Sequence, residues 1–446
     1  MSSSSSGKKR KADDKESSIQ TGESIHQPSQ QIDVSNNNHY TGWTVPSNNY
    51  TIPTINIDTM TPETFYTNYI KQRRPIVLKG GLSDVSKIEQ WKDINYLDTK
   101  VGDQIVSVEK RIGTDSSFGK GNEVEMSFSM FLNLIKDGDD KHYLTTQDVH
   151  ADDDGRPELM SPLMQGLQQD FPLRPTLMGN LVPQNINMWL GNAKNGASSG
   201  LHHDYHDNLY IVLKGKKRFR LYSPIDTDKM YTRGELLKVH SNGRINYKGE
   251  ETTAYGADLH SDAAALAARQ KDKAEKMLAD AEHALEQGKP GAQEQVEEAE
   301  ELLELAMDAV LEAEMADAED EDESDDKEYD LFGDTKRLVD KTVKNPNNFS
   351  KVDVDLLNDD ERLKESYPDI LKANAAFCTV ESGSVLYLPA SWFHEVVSFG
   401  TSDGHLAVNY WFHPPDGESF DAPYSTDFWP NDYQDRFDDE KKKSSA

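Results

Sequence analysis

The sequence predicts a mainly β protein, a sandwich or barrel with helical additions, and three observations lead there. Short runs of β-branched and aromatic residues recur, each closed by Gly or Pro, as in Pro75-Ile76-Val77-Leu78-Lys79 before Gly80-Gly81. The hydrophobic period turns helical over a single long internal stretch, from about Ser261 to Ala318. Strand patterning then returns at Phe377 and continues to Phe412, so β segments bracket the helical one.

Taken in order, residues 1 to about 40 are rich in Ser, Gln, Asn and Lys and read as a disordered tail. Its basic block Lys8-Lys9-Arg10-Lys11 is a nuclear-import signal or simply a solvated charge run. Thr61-Pro62-Glu63 supplies an N-cap, a proline at N1 and an acidic first turn, which predicts a helix to about Gln72. Pro75–Lys79 and Ile105–Glu109 read as strands, Ser127–Ile135 as a helix, and Tyr143–Gln147 and Asn185–Gly191 as strands. Asn208–Leu213 and Lys217–Tyr222 form a further pair around a turn at Lys214-Gly215-Lys216.

The helical stretch divides at Gly288-Lys289-Pro290-Gly291 into an antiparallel hairpin, Ala263–Gln287 and Gln293 to about Ala318, with Ser261 or Asp262 as the first cap. It dissolves into an acidic run; from Glu294 to Asp330 there are 19 acidic residues and one Lys. That run is an arm for a basic partner or a solvated insertion. Strands return at Phe377–Val380, Ser384–Leu388 and His405–Phe412, followed by a polar tail.

Composition bounds the function. Only 35% of the 446 residues are hydrophobic and the net charge is -31, so much of the chain is solvated and direct nucleic-acid binding is not expected. The single cysteine, Cys378, excludes an intrachain disulfide and a Cys-rich zinc module. The absence of an 18-residue apolar run and of an apolar core in Met1–Ser6 leads to the expectation of a soluble intracellular protein without membrane contact.

Chemistry concentrates in His-x-Asp. The pattern occurs three times, as His150-Ala151-Asp152, His202-His203-Asp204 and His260-Ser261-Asp262. The first runs into a polar loop and the third opens the helical stretch; only the second leads into a strand, where residues two apart share a face. With His394, which follows Trp392-Phe393 far downstream, His202 and Asp204 make up the two imidazoles and one carboxylate of a non-haem Fe(II) facial triad. His203 and His206 are read as bystanders.

The segments Asn187–Pro224 and Phe377–Pro414 resemble the jumonji-C family of cupin-like, 2-oxoglutarate-dependent oxygenases, and among them the small intracellular lysyl hydroxylases. The resemblance is carried by Asn187-Met188-Trp189-Leu190-Gly191, Leu201-His202-His203-Asp204 through Asn208-Leu209-Tyr210, Gly215-Lys216-Lys217, Leu386-Tyr387-Leu388-Pro389 through Trp392-Phe393-His394, and Leu406-Ala407-Val408-Asn409-Tyr410-Trp411. It implies a double-stranded β-helix, a jelly-roll barrel, in two parts, 46–224 and 331–430. These would be separated by an insertion at 225–330 and flanked by polar tails at 1–45 and 431–446.

The resemblance further implies that His202, Asp204 and His394 hold Fe(II), and that Lys217 pairs with the distal carboxylate of 2-oxoglutarate. Ser199 would supply a hydroxyl to that carboxylate, with Asn208, Asn409 and Tyr143 lining the cosubstrate pocket. The activity implied is O2-dependent hydroxylation of a protein side chain, releasing succinate and CO2. Removal of an N-methyl group from lysine is the alternative, and a catalytically silent acidic scaffold for basic partners is the reading from another class. Asp204 rather than Glu, together with the lone cysteine, favours the hydroxylase. A protein substrate of basic character, in nucleus or cytoplasm, goes with this reading, and a homodimer is left open.

Overall fold

The computed structural model describes residues 37–111, 123–152, 156–193, 196–322 and 346–438, with the side chains of 314, 316–322 and 438 excepted. The basic block Lys8–Lys11, the acidic run beyond Asp322 and Lys441–Lys443 lie outside the described residues.

Sixteen strands are described. In chain order they are β1 (Tyr50–Thr51), β2 (Thr54–Asn56), β3 (Ile76–Lys79), β4 (Ile105–Lys110), β5 (Glu123–Ser127), β6 (His142–Leu144), β7 (Pro183–Gly191) and β8 (Ala197–Ser198). They continue with β9 (Asp207–Lys214), β10 (Lys216–Tyr222), β11 (Leu236–Val239), β12 (Ile245–Tyr247), β13 (Ala376–Glu381), β14 (Ser384–Leu388), β15 (Phe393–Phe399) and β16 (His405–Phe412). One sheet runs β2-β3-β14-β9-β16-β7-β6-β4-β5 and a second β1-β13-β10-β15-β8, with β11-β12 as a separate pair.

Consecutive strands alternate between the two large sheets: β9 and β10, β13 and β14, and β15 and β16 each change sheet at a turn. This is the winding of a jelly roll. The turn at Gly215 therefore does not close a paired hairpin. It carries the chain from one sheet to the other at a φ of +74°, and a Cβ there would lie 2.4 Å from the Phe399 carbonyl oxygen.

Alternation of side chains then divides two packed layers. Ile186, Met188, Leu190, Leu209, Ile211, Leu213, Leu406 and Val408 point outward onto the helices, in one large core. Val212, Leu386, Leu388 and Ala407 from one sheet meet Phe219, Leu221 and Val380 on the other, with Trp392 from the connection before β15.

The described α-helices are α1 (Pro62–Phe65), α2 (Ile94–Val101), α3 (Phe128–Lys136), α4 (Pro162–Gln165), α5 (Leu259–Glu286), α6 (Ala292–Asp322), α7 (Asp360–Ser366) and α8 (Phe428–Tyr433). Of these, α1 to α4 cover the outer layer. In α3 the Ser127 hydroxyl caps the Met130 N–H, and Phe128, Phe131, Leu132 and Ile135 form a buried i, i+3, i+4, i+7 stripe. Among the described residues no helix is long and apolar enough to cross a membrane.

Several local expectations change. The helix capped by Thr61 widens into a π-type turn over Tyr66–Ile70, which keeps Phe65, Tyr66 and Ile70 all in the core. Strand β6 stops at Leu144 because the Gln147 side chain takes over, accepting from the Ser107 N–H at 2.9 Å and donating to its carbonyl at 2.8 Å. The cap of α5 is Asp258, whose carboxylate receives the His260 and Ser261 N–H groups, so Ser261 and Asp262 already lie in the helix. The second helix of the hairpin runs on to Asp322, into the acidic run.

Packing begins ahead of the expected boundary, since Tyr40 and Val45 are buried. The stretch before Asp258 is integrated as well: Met230, Val239, Ile245 and Tyr247 share a core with Leu201 and Phe393. At the other end Tyr433 and Phe437 pack on the main core. Among the described residues, α5 and α6 pack chiefly on each other, through buried alanines.

Candidate active site

The ends of two strands, one from each sheet, bring the three ligand candidates together. His202 lies five residues before β9, and His394 is the second residue of β15. The two exchange backbone hydrogen bonds, His202 N–H to the His394 carbonyl at 3.0 Å and His394 N–H to the His202 carbonyl at 2.6 Å. Asp204 is anchored through its carbonyl, which accepts from the Ser391 N–H at 2.7 Å. Ser391 holds a φ of +59°, and its hydroxyl accepts from the Ile245 N–H.

His202, Asp204 and His394 offer ligand atoms that all lie within 4.8 Å of one another. The Nε2 atoms of His202 and His394 stand 3.9 and 3.6 Å from the two carboxylate oxygens of Asp204. Each Nδ1 is instead committed to a main-chain carbonyl, that of Gly200 at 3.1 Å for His202 and that of Trp392 at 2.9 Å for His394. This assigns the Nδ1–H tautomer to both rings and leaves Nε2 as the free lone pair, the arrangement a metal-bound imidazole requires. Burial, with His394 as a lesser contributor, lowers the His202 pKa to about 4, so this ring is neutral at physiological pH. Two imidazoles turning Nε2 toward one carboxylate are a donor set that fits Fe(II).

The other two His-x-Asp copies contribute nothing here. Asp152 pairs with Arg156 and Arg436, and His260 is in the first turn of α5. His203 turns away from the ligand cluster, with its Nε2 2.8 Å from the Tyr247 hydroxyl and its ring against Phe393. His206 stacks on Trp411.

Lys217 enters from β10. Its register partner on β15 is Ser398, four residues beyond His394 and therefore on the same strand face, about 13 Å along it. The side chain is 1% exposed, and its ammonium contacts the Tyr143 hydroxyl at 3.1 Å and the Ser398 hydroxyl at 2.6 Å. Tyr143 and Tyr210 present their rings to the same ammonium. Among the described residues no carboxylate pairs with it, and burial lowers its pKa to about 7.

Asn409 and Asn208 are joined, Nδ2 to Oδ1 at 3.2 Å, and the Trp189 indole N–H donates to Asn409 Oδ1 at 2.7 Å. The Ser199 hydroxyl donates to the Gly200 carbonyl and accepts from the Val396 N–H, whereas the hydroxyls at Lys217 are those of Ser398 and Tyr143.

Trp189 and Tyr210 stand in the quoted motifs without a role assigned to them, and Ser398 and β15 itself were not picked out by sequence reasoning. Phe393-His394-Glu395-Val396-Val397-Ser398-Phe399 alternates, but two of its three inward positions, His394, Val396 and Ser398, are polar, so hydrophobic patterning passes over it.

A model of the cupin-like domain matches residues 62–418 of this chain. The chain is 36% identical to JmjC domain-containing protein 4 of Schizosaccharomyces pombe over 432 residues, covering 86% of this chain and 89% of that protein. The chain belongs to the cupin-like JmjC family. More distant JmjC relatives include the human bifunctional peptidase and (3S)-lysyl hydroxylase JMJD7, 22% identical, covering 79% of this chain and 81% of that protein. Lysine-specific demethylase JMJ32 of Arabidopsis thaliana is also 22% identical, with 79% of each chain covered. One relative named as a lysyl hydroxylase and one named as a lysine demethylase thus show the same identity to this chain.

Proposed function

We propose that this protein is an Fe(II)- and 2-oxoglutarate-dependent oxygenase that hydroxylates a side chain of a protein substrate. The observation that carries the reading is Lys217, a buried ammonium with hydroxyl neighbours but no carboxylate partner among the described residues. A cation left in that state is costly unless an anion arrives, and it shares a barrel interior with the His202, Asp204 and His394 cluster. A short dicarboxylate would satisfy both ends.

In this reading His202, Asp204 and His394 hold the iron through Nε2, a carboxylate oxygen and Nε2. Bound iron with 2-oxoglutarate supplies O2 activation coupled to oxidative decarboxylation, giving succinate, CO2 and oxidation of a nearby C–H bond. The chain's own contribution is positional. Lys217, Tyr143 and Ser398 orient the distal carboxylate, the Asn208–Asn409–Trp189 chain lines the pocket wall, and the two sheets exclude water. Phe349 stacks on the His202 ring at 4.7 Å and fixes the ring's plane.

The test is mass spectrometry of candidate proteins incubated with this protein, Fe(II) and 2-oxoglutarate, with His202→Ala as the control. Gain of one oxygen on a side chain, together with succinate, is expected. Loss of methyl from lysine would establish the demethylase reading instead. A folded protein that turns over no 2-oxoglutarate with any substrate would leave the scaffold reading.

A further inference from the structure

We propose that the outer face of α6 docks a basic amphipathic helix of a partner protein. The helix carries 14 acidic residues and no Lys or Arg between Ala292 and Asp322. Its hairpin partner does not neutralise them, since α5 holds six acidic and four basic residues between Leu259 and Glu286.

Charge alone would be a solvated surface. This face is different because it also exposes apolar side chains in register. Met307, Leu311 and Met315 recur at i, i+4 and i+8, so they form one stripe about 12 Å long. They are 54%, 55% and 58% exposed, so over half of each lies open to solvent, while Ala292, Val296, Ala299 and Ala306 are the described residues that α6 buries. Glu304, Asp308 and Glu312 form the adjoining stripe one residue behind, at the same four-residue interval.

An apolar row rimmed by carboxylates is complementary to a helix whose apolar face is edged with Lys and Arg. Two methionines in the row suit an adaptable contact, because an unbranched thioether repacks against different partners. A second copy of α6 is a poor occupant: it would bring a like-charged surface with no cation on it.

The test uses the full-length protein and three synthetic probes. These are a Lys/Leu peptide of about five helical turns with its leucines on one face, a scrambled isomer of it, and poly-lysine. Affinities are measured by fluorescence anisotropy at low and physiological salt. The amphipathic peptide is expected to bind at least about tenfold more tightly than either other probe.

Met307→Ser/Leu311→Ser/Met315→Ser should weaken it by a similar factor with helix content by circular dichroism unchanged. Glu304→Gln/Asp308→Asn/Glu312→Gln should weaken it mainly at low salt. Equal binding of the scrambled peptide with no effect of the serine variant would overturn the proposal and leave a polyanionic surface only. Self-association of the free protein that the serine variant abolishes would also overturn it, assigning the face to a second copy. Absence of binding by the amphipathic peptide would overturn it outright.

Discussion

Arg73 and Asp207 form a buried, two-pronged ion pair three residues beyond Asp204 in the chain. Asp207 also accepts from the Tyr387 hydroxyl at 2.7 Å and the Ala390 N–H at 2.9 Å, and the Arg73 Nε–H reaches the Asn242 carbonyl. One carboxylate thus ties the start of β9, the end of β14 and the approach to His394 to a residue that touches none of the ligand candidates. Arg73 itself stands at a φ of +53°, held there by these bonds.

Arg73→Met should destabilise the protein by about 3–5 kcal/mol, because it leaves Asp207 charged and buried without its counter-ion. Chemical denaturation measures the loss. The double variant Arg73→Met/Asp207→Asn should recover part of it, and a full additive loss in the double variant would show that the two act independently.

Lys217→Ala should raise the 2-oxoglutarate concentration needed for half-maximal turnover by roughly ten- to a hundredfold, the value of a charge-assisted carboxylate bond of about 1.5–3 kcal/mol. Ser398→Ala should raise it less, because a neutral hydroxyl is lost there. Fe(II) affinity, read by equilibrium dialysis, should stay unchanged in both.

Cosubstrate affinity should also depend on pH through Lys217. Burial brings its pKa in the free protein to about 7, and only the ammonium form attracts a carboxylate. Affinity therefore falls as pH rises through 7, by about fivefold between pH 7 and pH 8, until the pKa raised by the bound anion is reached. Stability of the cosubstrate-free protein should move the other way. An unfolded Lys keeps its proton to about 10.5 whereas the folded one loses it near 7, so the unfolded state binds more protons between those values and folding is favoured as pH rises. Lys217→Met should abolish both dependences.

Replacing Leu266 to Asp322 by a short Gly/Ser linker should leave succinate formation and the thermal midpoint close to those of the intact chain. The helices of the hairpin bury mainly alanines, among them Ala267, Ala274, Ala281, Ala299 and Ala306, and their ends return together. A large fall in the midpoint on a thermal melt would show that the hairpin supports the barrel.

The two helices and most strands could be read from hydrophobic period and turn residues, and the His202, Asp204 and His394 set from the strand that follows one His-x-Asp copy. What stayed hidden depends on contacts between segments far apart in sequence. Ser398 becomes the partner of Lys217 only through the register of β10 on β15, and Gln147 ends β6 by bonding to Ser107 on another strand. The change of sheet at Gly215 was equally unreadable, because a glycine at positive φ serves a paired hairpin and a sheet-to-sheet crossing alike. The cap at Asp258 was missed for a local reason: three candidate acceptors, Asp258, Ser261 and Asp262, lie within five residues, and only the backbone decides among them.

The winding of the strands makes the molecule two interlocked pieces. Residues up to Asp322 supply β9 and β10, residues from Pro346 supply β13 to β16, and in both large sheets the strands of one piece lie between those of the other: β9 sits between β14 and β16, and β10 between β13 and β15. Neither piece can satisfy its own strand edges alone. A chain severed between Asp322 and Pro346 should therefore yield fragments that are insoluble when produced singly and recover turnover when produced together, like the two halves of a split reporter.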